Sequence, residues 1–359
     1  MPVNPNSGEF GYQITMSHSH RINSVEHLDD LLSEPTPGVV ETLRRLDGDL
    51  LILGVGGKMG PTLARMAAWA SQSAGVKRRV IGVARFSRPE LPEWLRRHGV
   101  EPLAADLLDS GQLAALPDAS NVLVMTALKF GSSGQPGDTW AVNCWLPAAV
   151  CERFADSRIV GFSTGNVYPL TPISLGGSVE SDPLVPVGEY AASCVGRERL
   201  YDYFSRTKDT RVSIVRLNYA CELRYGVLVD LARHILRGEP IDLSMGAVNV
   251  IWQGDANAMA LQAFGRCDSP PFVINIAGPE TLSVRRICQQ LGELLGKGPT
   301  FTGAESTEAL LSNGQLGHQL FGYPRVSIRQ LCEWIANWLK QGGDVLDKPT
   351  KFQVRDGRF

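Results

Sequence analysis

The sequence predicts an α/β protein built on a doubly wound parallel sheet. Three observations predict it. Continuous apolar runs of strand length recur, as suits strands covered on both faces. Helical stretches alternate with those runs along the chain, as parallel crossovers require. A glycine-rich turn, Gly54, Gly56, Gly57 and Gly60, joins the run Leu50, Leu51, Ile52, Leu53 to a helix marked by Leu63, Met66, Ala67 and Ala70. A turn without Cβ atoms lets a phosphate approach backbone N–H groups at a helix start, where the dipole favours an anion. Strand, turn and helix in this order read as a dinucleotide site on a Rossmann-type sheet, with an ordinary glycine-rich turn as the plainer alternative. Lys58 and Met59 lie inside the turn and join its glycines as candidate cofactor contacts.

The composition narrows the class. With 359 residues the chain holds one large or two modest domains, and 43% hydrophobic residues support a sizeable core. A net charge of -2 gives no electrostatic case for nucleic acid or an anionic membrane. The 7 cysteines are scattered, with no C-x-x-C and no Cys/His cluster. That pattern fits reduced thiols in a cytoplasmic protein, with no disulfide framework and no metal site. No apolar run reaches membrane-spanning length, and the N-terminal stretch lacks the apolar core of a signal peptide.

Residues 1–20 are polar and are expected to be disordered; His18 and His20 fall there and are not read as metal ligands. Residues 21–48 read as a short helical extension without chemistry, packed on the outside of the dinucleotide domain; Thr36 before Pro37 marks a helix start. The second strand is 79–84. At its end, where an acidic residue would bind the ribose 2′-hydroxyl of NAD, stands Arg85, with Ser87 and Arg88 nearby. Arginine there suits a 2′-phosphate, which favours NADP over NAD, although a solvated surface arginine is common. A third strand ends at Asp106, placed to accept a hydrogen bond from the adenine amino group, with Leu107 beside it. The fourth strand, 121–126, brings Thr126 and Ala127 to the crevice.

At this point the residues resemble the extended short-chain dehydrogenases/reductases, the NAD-dependent epimerase/dehydratase family, over roughly residues 49–340. Gly54, Gly57 and Gly60 match the family's G-x-x-G-x-x-G signature. Asp106 to Asp109 match its adenine-side acidic motif, and Asn143 the Asn of the helix after the fourth strand. Residues 159–169 look like its fifth strand and Ser/Thr turn, with Tyr190 at the catalytic tyrosine's interval beyond Thr164. The resemblance implies hydride transfer at a carbon bearing oxygen. Tyr190 then gives or takes the hydroxyl proton, Thr164 holds that oxygen, and Ser163 is the next candidate. Strand-end turn capping is the structural alternative for both hydroxyls.

The sequence departs from the family in four places. The family's lysine, four residues after the tyrosine, binds the nicotinamide ribose and lowers the phenol pKa; here Cys194 occupies that position. A free tyrosine titrates near ~10, so proton transfer near neutrality needs such a cation. Three readings stay open. In the first, Lys129 on the loop after the fourth strand, or Arg197 on the Tyr190 helix, supplies the charge; in the second, Tyr190 only binds substrate; in the third, the protein is a catalytically inactive NADP-binding regulator or scaffold. Lys129 as a plain surface lysine is the alternative to the first. The acidic pair that runs water elimination in sugar-nucleotide 4,6-dehydratases is replaced by Gly165 and Asn166, which disfavours that reaction. The usual Tyr-Gly-Pro after the sixth strand (211–218) is absent, though Asn218 and Tyr219 stand where the family contacts cofactor and substrate. The phosphate-gripping arginine of nucleotide-sugar enzymes is missing at Ala247, Val248 and Asn249, which favours a free sugar, a sugar acid or a related small alcohol or carbonyl.

The expected organisation is a dinucleotide-binding Rossmann domain at 49–218, and at 219–341 a smaller C-terminal substrate lobe interleaved with the last sheet strands. A charged, loosely held tail occupies 342–359. Asp255 is expected to cap its own helix, not to catalyse. The helix running on from Tyr190 implies, by the resemblance, a homodimer. The reading as a whole is an NAD(P)-dependent oxidoreductase or epimerase with NADP or NAD as cofactor.

Overall fold

The computed structural model describes residues 21–132 and 134–358. The expected disorder of residues 1–20, with His18 and His20, lies outside them. Seven parallel strands form the central sheet: β1 (Leu50–Leu53), β2 (Val80–Ala84), β3 (Glu101–Ala104), β4 (Asn121–Val124), β5 (Arg158–Thr164), β6 (Arg211–Leu217) and β7 (Phe272–Ile276). Their order is β7-β6-β5-β4-β1-β2-β3. Every residue of β1 and β4 is buried, as their unbroken apolar character requires of strands covered on both faces. The order reverses between β1 and β4, where Leu53 pairs with Val83 on one side and Val124 on the other. Ligands bind at such a switch point, outside the carboxyl ends of the strands.

Gly60–Ser73 is the helix after the glycine turn, and Gly188–Lys208 carries Tyr190. A second apolar core belongs to the C-terminal lobe. It joins the helices Val227–Arg237, Val284–Leu295 and Ile328–Lys340 through Leu231, Leu291, Leu331 and Ile335. Among the described residues no helix is long and apolar enough to cross a membrane.

Three elements differ from the sequence reading. The N-terminal extension forms the helices Val25–Ser33 and Pro37–Arg45. Val39 and Leu43 pack on the sheet-side core as expected, but Ile22, Leu28 and Leu32 enter the core of the C-terminal lobe. Asp29 also pairs with Arg224 at 3.0 Å, so the extension ties the two cores together. Asp255 does not cap its own helix, Gln253–Gln262. Its carboxylate accepts from the backbone N–H groups of Arg325 and Val326 and pairs with the Arg325 guanidinium at 2.9 Å. A helix-capping pattern and a carboxylate serving a distant turn look the same in sequence.

The tail is the third correction. It is docked, not loose. The Thr350 N–H and hydroxyl donate to Asp230 at 2.7 and 2.6 Å. Phe352 is buried in the lobe core, and Arg355 donates to the carbonyls of Ser244 and Glu308. Val354 packs on the cluster of Val167, Tyr168, Tyr190 and Cys194. Gly357 lies so close to Val187 and Gly188 that a Cβ on it would sit 2.2 Å from the Val187 carbonyl oxygen. Charge spacing suggested a solvated segment because the anchors are single residues without periodicity. Phe352→Ala is expected to cost about 3 kcal/mol, the usual range for emptying a buried aromatic site, read as a lower urea midpoint for the full chain.

Candidate active site

The glycine turn builds one wall of a crevice over the strand ends. Gly54 has φ +89°, a conformation side chains avoid, and a Cβ there would press on Thr126 at 3.0 Å. At Gly60 a Cβ would lie 2.3 Å from the Val55 carbonyl oxygen, so only glycine lets the helix start this close to the strand. No side chain caps the start of the Gly60–Ser73 helix, which leaves it open to an anion. The crevice measures about 410 Å³ and is lined by Gly54, Gly56, Gly57, Arg85, Asp106, Leu107, Thr126 and Ala127 among others. Arg85 stands 3.9 Å from Asp106 and is largely exposed, on the wall where the second strand ends. The Thr126 hydroxyl, buried at the crevice, has no hydrogen-bond partner among the described residues. An open helix start, a side-chain-free cradle and an orphaned hydroxyl fit a dinucleotide.

Tyr190 sits in the first turn of its helix, beside the end of β5. Its ring is buried, and its hydroxyl shares hydrogen bonds with the side chains of Thr164 and Cys194. Burial pushes the phenol well above its ordinary value, and the neighbouring thiol adds to the rise. The Arg197 charge and the Thr164 hydrogen bond oppose it. Cys194, read as a cofactor contact, is fully buried beside Tyr190 and is not among the residues that line the crevice. Thr164 Oγ1 meets Asn166 Oδ1 at 3.1 Å and accepts from the Asn166 N–H at 3.2 Å, at the mouth of a cavity. Ser163 is turned the other way. Its hydroxyl donates to Glu198 at 2.5 Å, and Glu198 pairs with Arg216 at 2.7 Å. Successive strand residues point to opposite faces, so only one of the two hydroxyls can look into the site.

Asn143 is also withdrawn from the crevice. It exchanges hydrogen bonds with the Leu128 backbone and donates to Ser193 Oγ. Its carbonyl accepts from Arg197 Nε at 3.0 Å, within a π-turn that spans Ala141–Trp145. Arg197 is buried and donates further to Phe162 O at 2.6 Å, Thr126 O at 3.0 Å and Asn143 Oδ1 at 2.7 Å. One guanidinium thus joins the ends of β4 and β5 to the helix that follows β4.

Two lysines face the second cavity, of about 130 Å³, whose wall includes Lys58, Met59, Lys129, Thr164, Asn166, Asn218, Tyr219, Tyr225 and Thr350. Lys58 therefore turns away from the dinucleotide crevice. Its ammonium lies 3.6 Å above the Tyr225 ring and donates to the Ala220 carbonyl at 3.3 Å. Lys129 lies 5.6 Å from the centre of the Tyr190 ring. Burial pulls both ammonium groups down to about 8. For Lys129 the Cys194 charge opposes this, and the charges of Lys58 and Lys351 add to it. Asn218 lines the same cavity, with its amide donating to Asn249 at 2.7 Å.

The model of the NAD dependent epimerase/dehydratase family matches residues 50–247. The chain belongs to this family. It is accordingly an NAD(P)-dependent enzyme of epimerase or oxidoreductase type. Solved structures share the fold at low identity. A UDP-glucose 4-epimerase of Thermotoga maritima, with UDP-glucose, is 16% identical, with 82% of this chain and 99% of that chain covered and a TM-score of 0.66. A UDP-glucuronic acid 4-epimerase of Bacillus cereus, with UDP-glucuronic acid and NAD, is 18% identical, with 82% and 99% covered and a TM-score of 0.67. A Thermus thermophilus UDP-glucose 4-epimerase in complex with NAD is 17% identical, with 81% and 99% covered and a TM-score of 0.66. No curated protein matches the chain.

Sequence reasoning did not single out Tyr225 and Thr350, and the structure places Lys58, read as a cofactor contact, on the wall of the smaller cavity. Lys58 sits in the phosphate turn, but its long stem carries the charge past it. Thr350 carries no local signal at all. The unusual φ of Tyr219, +43°, is legible only in the backbone. The cradle gives one expected outcome. Gly60→Ala should weaken NADH binding at least about tenfold, since a backbone collision cannot be relieved by rotating a side chain; a fluorescence titration measures it.

Proposed function

We propose that the protein transfers hydride at an oxygen-bearing carbon of a small polyhydroxy substrate: a free sugar, a sugar acid or a related alcohol or carbonyl. The observation that carries this reading is the meeting of Tyr190, Thr164 and Lys129 beside the dinucleotide crevice. The bound nicotinamide supplies the hydride acceptor or donor. The chain's own residues handle the oxygen and its proton. Thr164 positions the substrate oxygen by hydrogen bonding. Tyr190, held protonated by burial, donates to a carbonyl oxygen as it becomes a hydroxyl. In the reverse direction Tyr190 must take that proton, which needs positive charge nearby. Lys129 and Arg197 supply it in place of the ammonium that Cys194 cannot offer.

Two observations support a substrate without a nucleotide. The cavity of about 130 Å³ is small beside the ~300–1,000 Å³ pockets that hold drug-sized ligands. Ala247 and Val248 are buried against Leu282 and Ser283, so that strand offers no grip for a diphosphate. At Gly165 a Cβ would stand 2.7 Å from Ser312 Oγ, so an acidic side chain there would first have to displace that hydroxyl. Arg85 on the crevice wall supports NADP as the preferred cofactor. Trp145 and Tyr203, exposed on the helical segments beyond β4 and Tyr190, support a homodimer. The buried thiol at Cys194 favours a second reading, an NADP-binding regulator without turnover.

Purified protein incubated with NADP⁺ or NAD⁺ and a panel of sugars, sugar acids and polyols should reduce the cofactor, followed by absorbance. Tyr190→Phe should lower that rate by about 10²–10⁴-fold, the range for a lost general acid–base group, with cofactor affinity retained. Cofactor binding without turnover across the panel would instead establish the regulator, and full activity in Tyr190→Phe would remove the tyrosine from the chemistry.

A further inference from the structure

Of the candidates outside the chemistry already assigned, the wall of the smaller cavity carries the most. It contains two lysines, Lys58 and Lys129, and among the described residues no aspartate or glutamate. The remaining wall is neutral: hydroxyls and amides from Thr164, Asn166, Asn218 and Thr350, and the rings of Tyr219 and Tyr225. Hydride transfer to a neutral sugar requires one cation near Tyr190, and Lys129 meets that need. It gives no reason for a second ammonium on the opposite, glycine-turn side.

Two carboxylates, Glu222 and Asp230, stand near Lys58 and attract its charge without lining the cavity. Glu222 pairs with Arg224 at 3.0 Å, and Asp230 accepts both donors of Thr350. Lys58 is met by a carbonyl and a ring face, interactions that hold an ammonium in place without cancelling its charge. Lys58 and Lys129 repel one another across this space, and burial acts on both. Two partly desolvated like charges in one cavity are stabilised by an anion entering between them.

We propose that this cavity receives a carboxylate of the substrate, so that within the polyhydroxy class the enzyme selects a sugar acid or smaller hydroxy acid over a neutral sugar. The proposal rests on the hydride-transfer reading of the same site. A flat carboxylate suits a cavity of about 130 Å³ better than a bulkier phosphate. Lys58 and Lys129 then hold the acid end, while Thr164 and Tyr190 address the reacting hydroxyl.

The test is lysine protection in the full-length protein saturated with NADH. Acetic anhydride at mildly alkaline pH labels lysines of lowered pKa fastest, and peptide mass spectrometry reads Lys58 and Lys129 separately. D-Gluconate, D-glucuronate and D-glycerate are compared with D-glucose and D-glucitol, and with D-glucose 6-phosphate as the phosphate arm. At least one of the three acids should slow labelling of both lysines about tenfold, with the neutral compounds and the phosphate without effect. Lys58→Gln should weaken binding of that acid about tenfold, the scale of one lost hydrogen bond to a charged group, with the NADH dissociation constant unchanged. No protection by any of the acids, equal protection by neutral sugars, or protection by the phosphate alone overturns the proposal. So does a Lys58→Gln effect that falls on NADH instead. Protection without hydride turnover would keep the carboxylate site and remove the catalytic reading. Turnover of neutral sugars with no protection of either lysine by any of the acids would do the reverse.

Discussion

The site is organised by one constraint: the Tyr190 hydroxyl is buried against a thiol where its relatives in the family pattern have an ammonium. Desolvation raises the phenol, and Cys194 raises it further, so every compensating charge must come from outside the tyrosine's own helical turn. Arg197 opposes the rise, Lys129 lies 5.6 Å from the ring centre as the proposed second cation, and the two differ in kind. Arg197 is fixed by four hydrogen bonds to oxygens of Asn143, Phe162 and Thr126. Its geometry serves the scaffold, and its charge reaches Tyr190 as a constant background. Lys129 is half-buried at the cavity, with a lowered pKa, and can change its charge near working pH.

The same interactions tie chemistry to fold. The Arg197 fork spans the ends of two central strands and also holds the Asn143 carbonyl, so the π-turn and the crevice floor share one guanidinium. Below β5 the Ser163–Glu198–Arg216 chain continues to Tyr168 and Asn275, locking the turn that presents Thr164. The docked tail closes the arrangement from the far end of the chain. It packs Val354 on the Tyr190 cluster and contributes Thr350 to the cavity wall.

The parallel sheet and the glycine cradle were legible because they rest on local patterns: apolar runs, glycine spacing and alternation with helices. Thr164 and Tyr190 were legible through their interval. The directions of Ser163, Asn143 and Lys58 were not, since residue type does not disclose which partner a polar side chain will find. Asp255 shows the same limit, because a carboxylate at a helix start served a turn some seventy residues away. The tail was misread for a different reason: its anchors, Thr350, Phe352 and Gly357, act singly and leave no periodic trace.

The most direct measurement is the pH dependence of kcat/KM for Lys129→Met against the parent enzyme. Lys129 carries its charge below about 8 and loses it as the pH rises through that value. If this ammonium stands in for the missing lysine, the parent rate falls on the alkaline side with that midpoint, and the variant is slow throughout and lacks that limb. An unchanged rate and an unchanged alkaline limb in Lys129→Met would contradict the account.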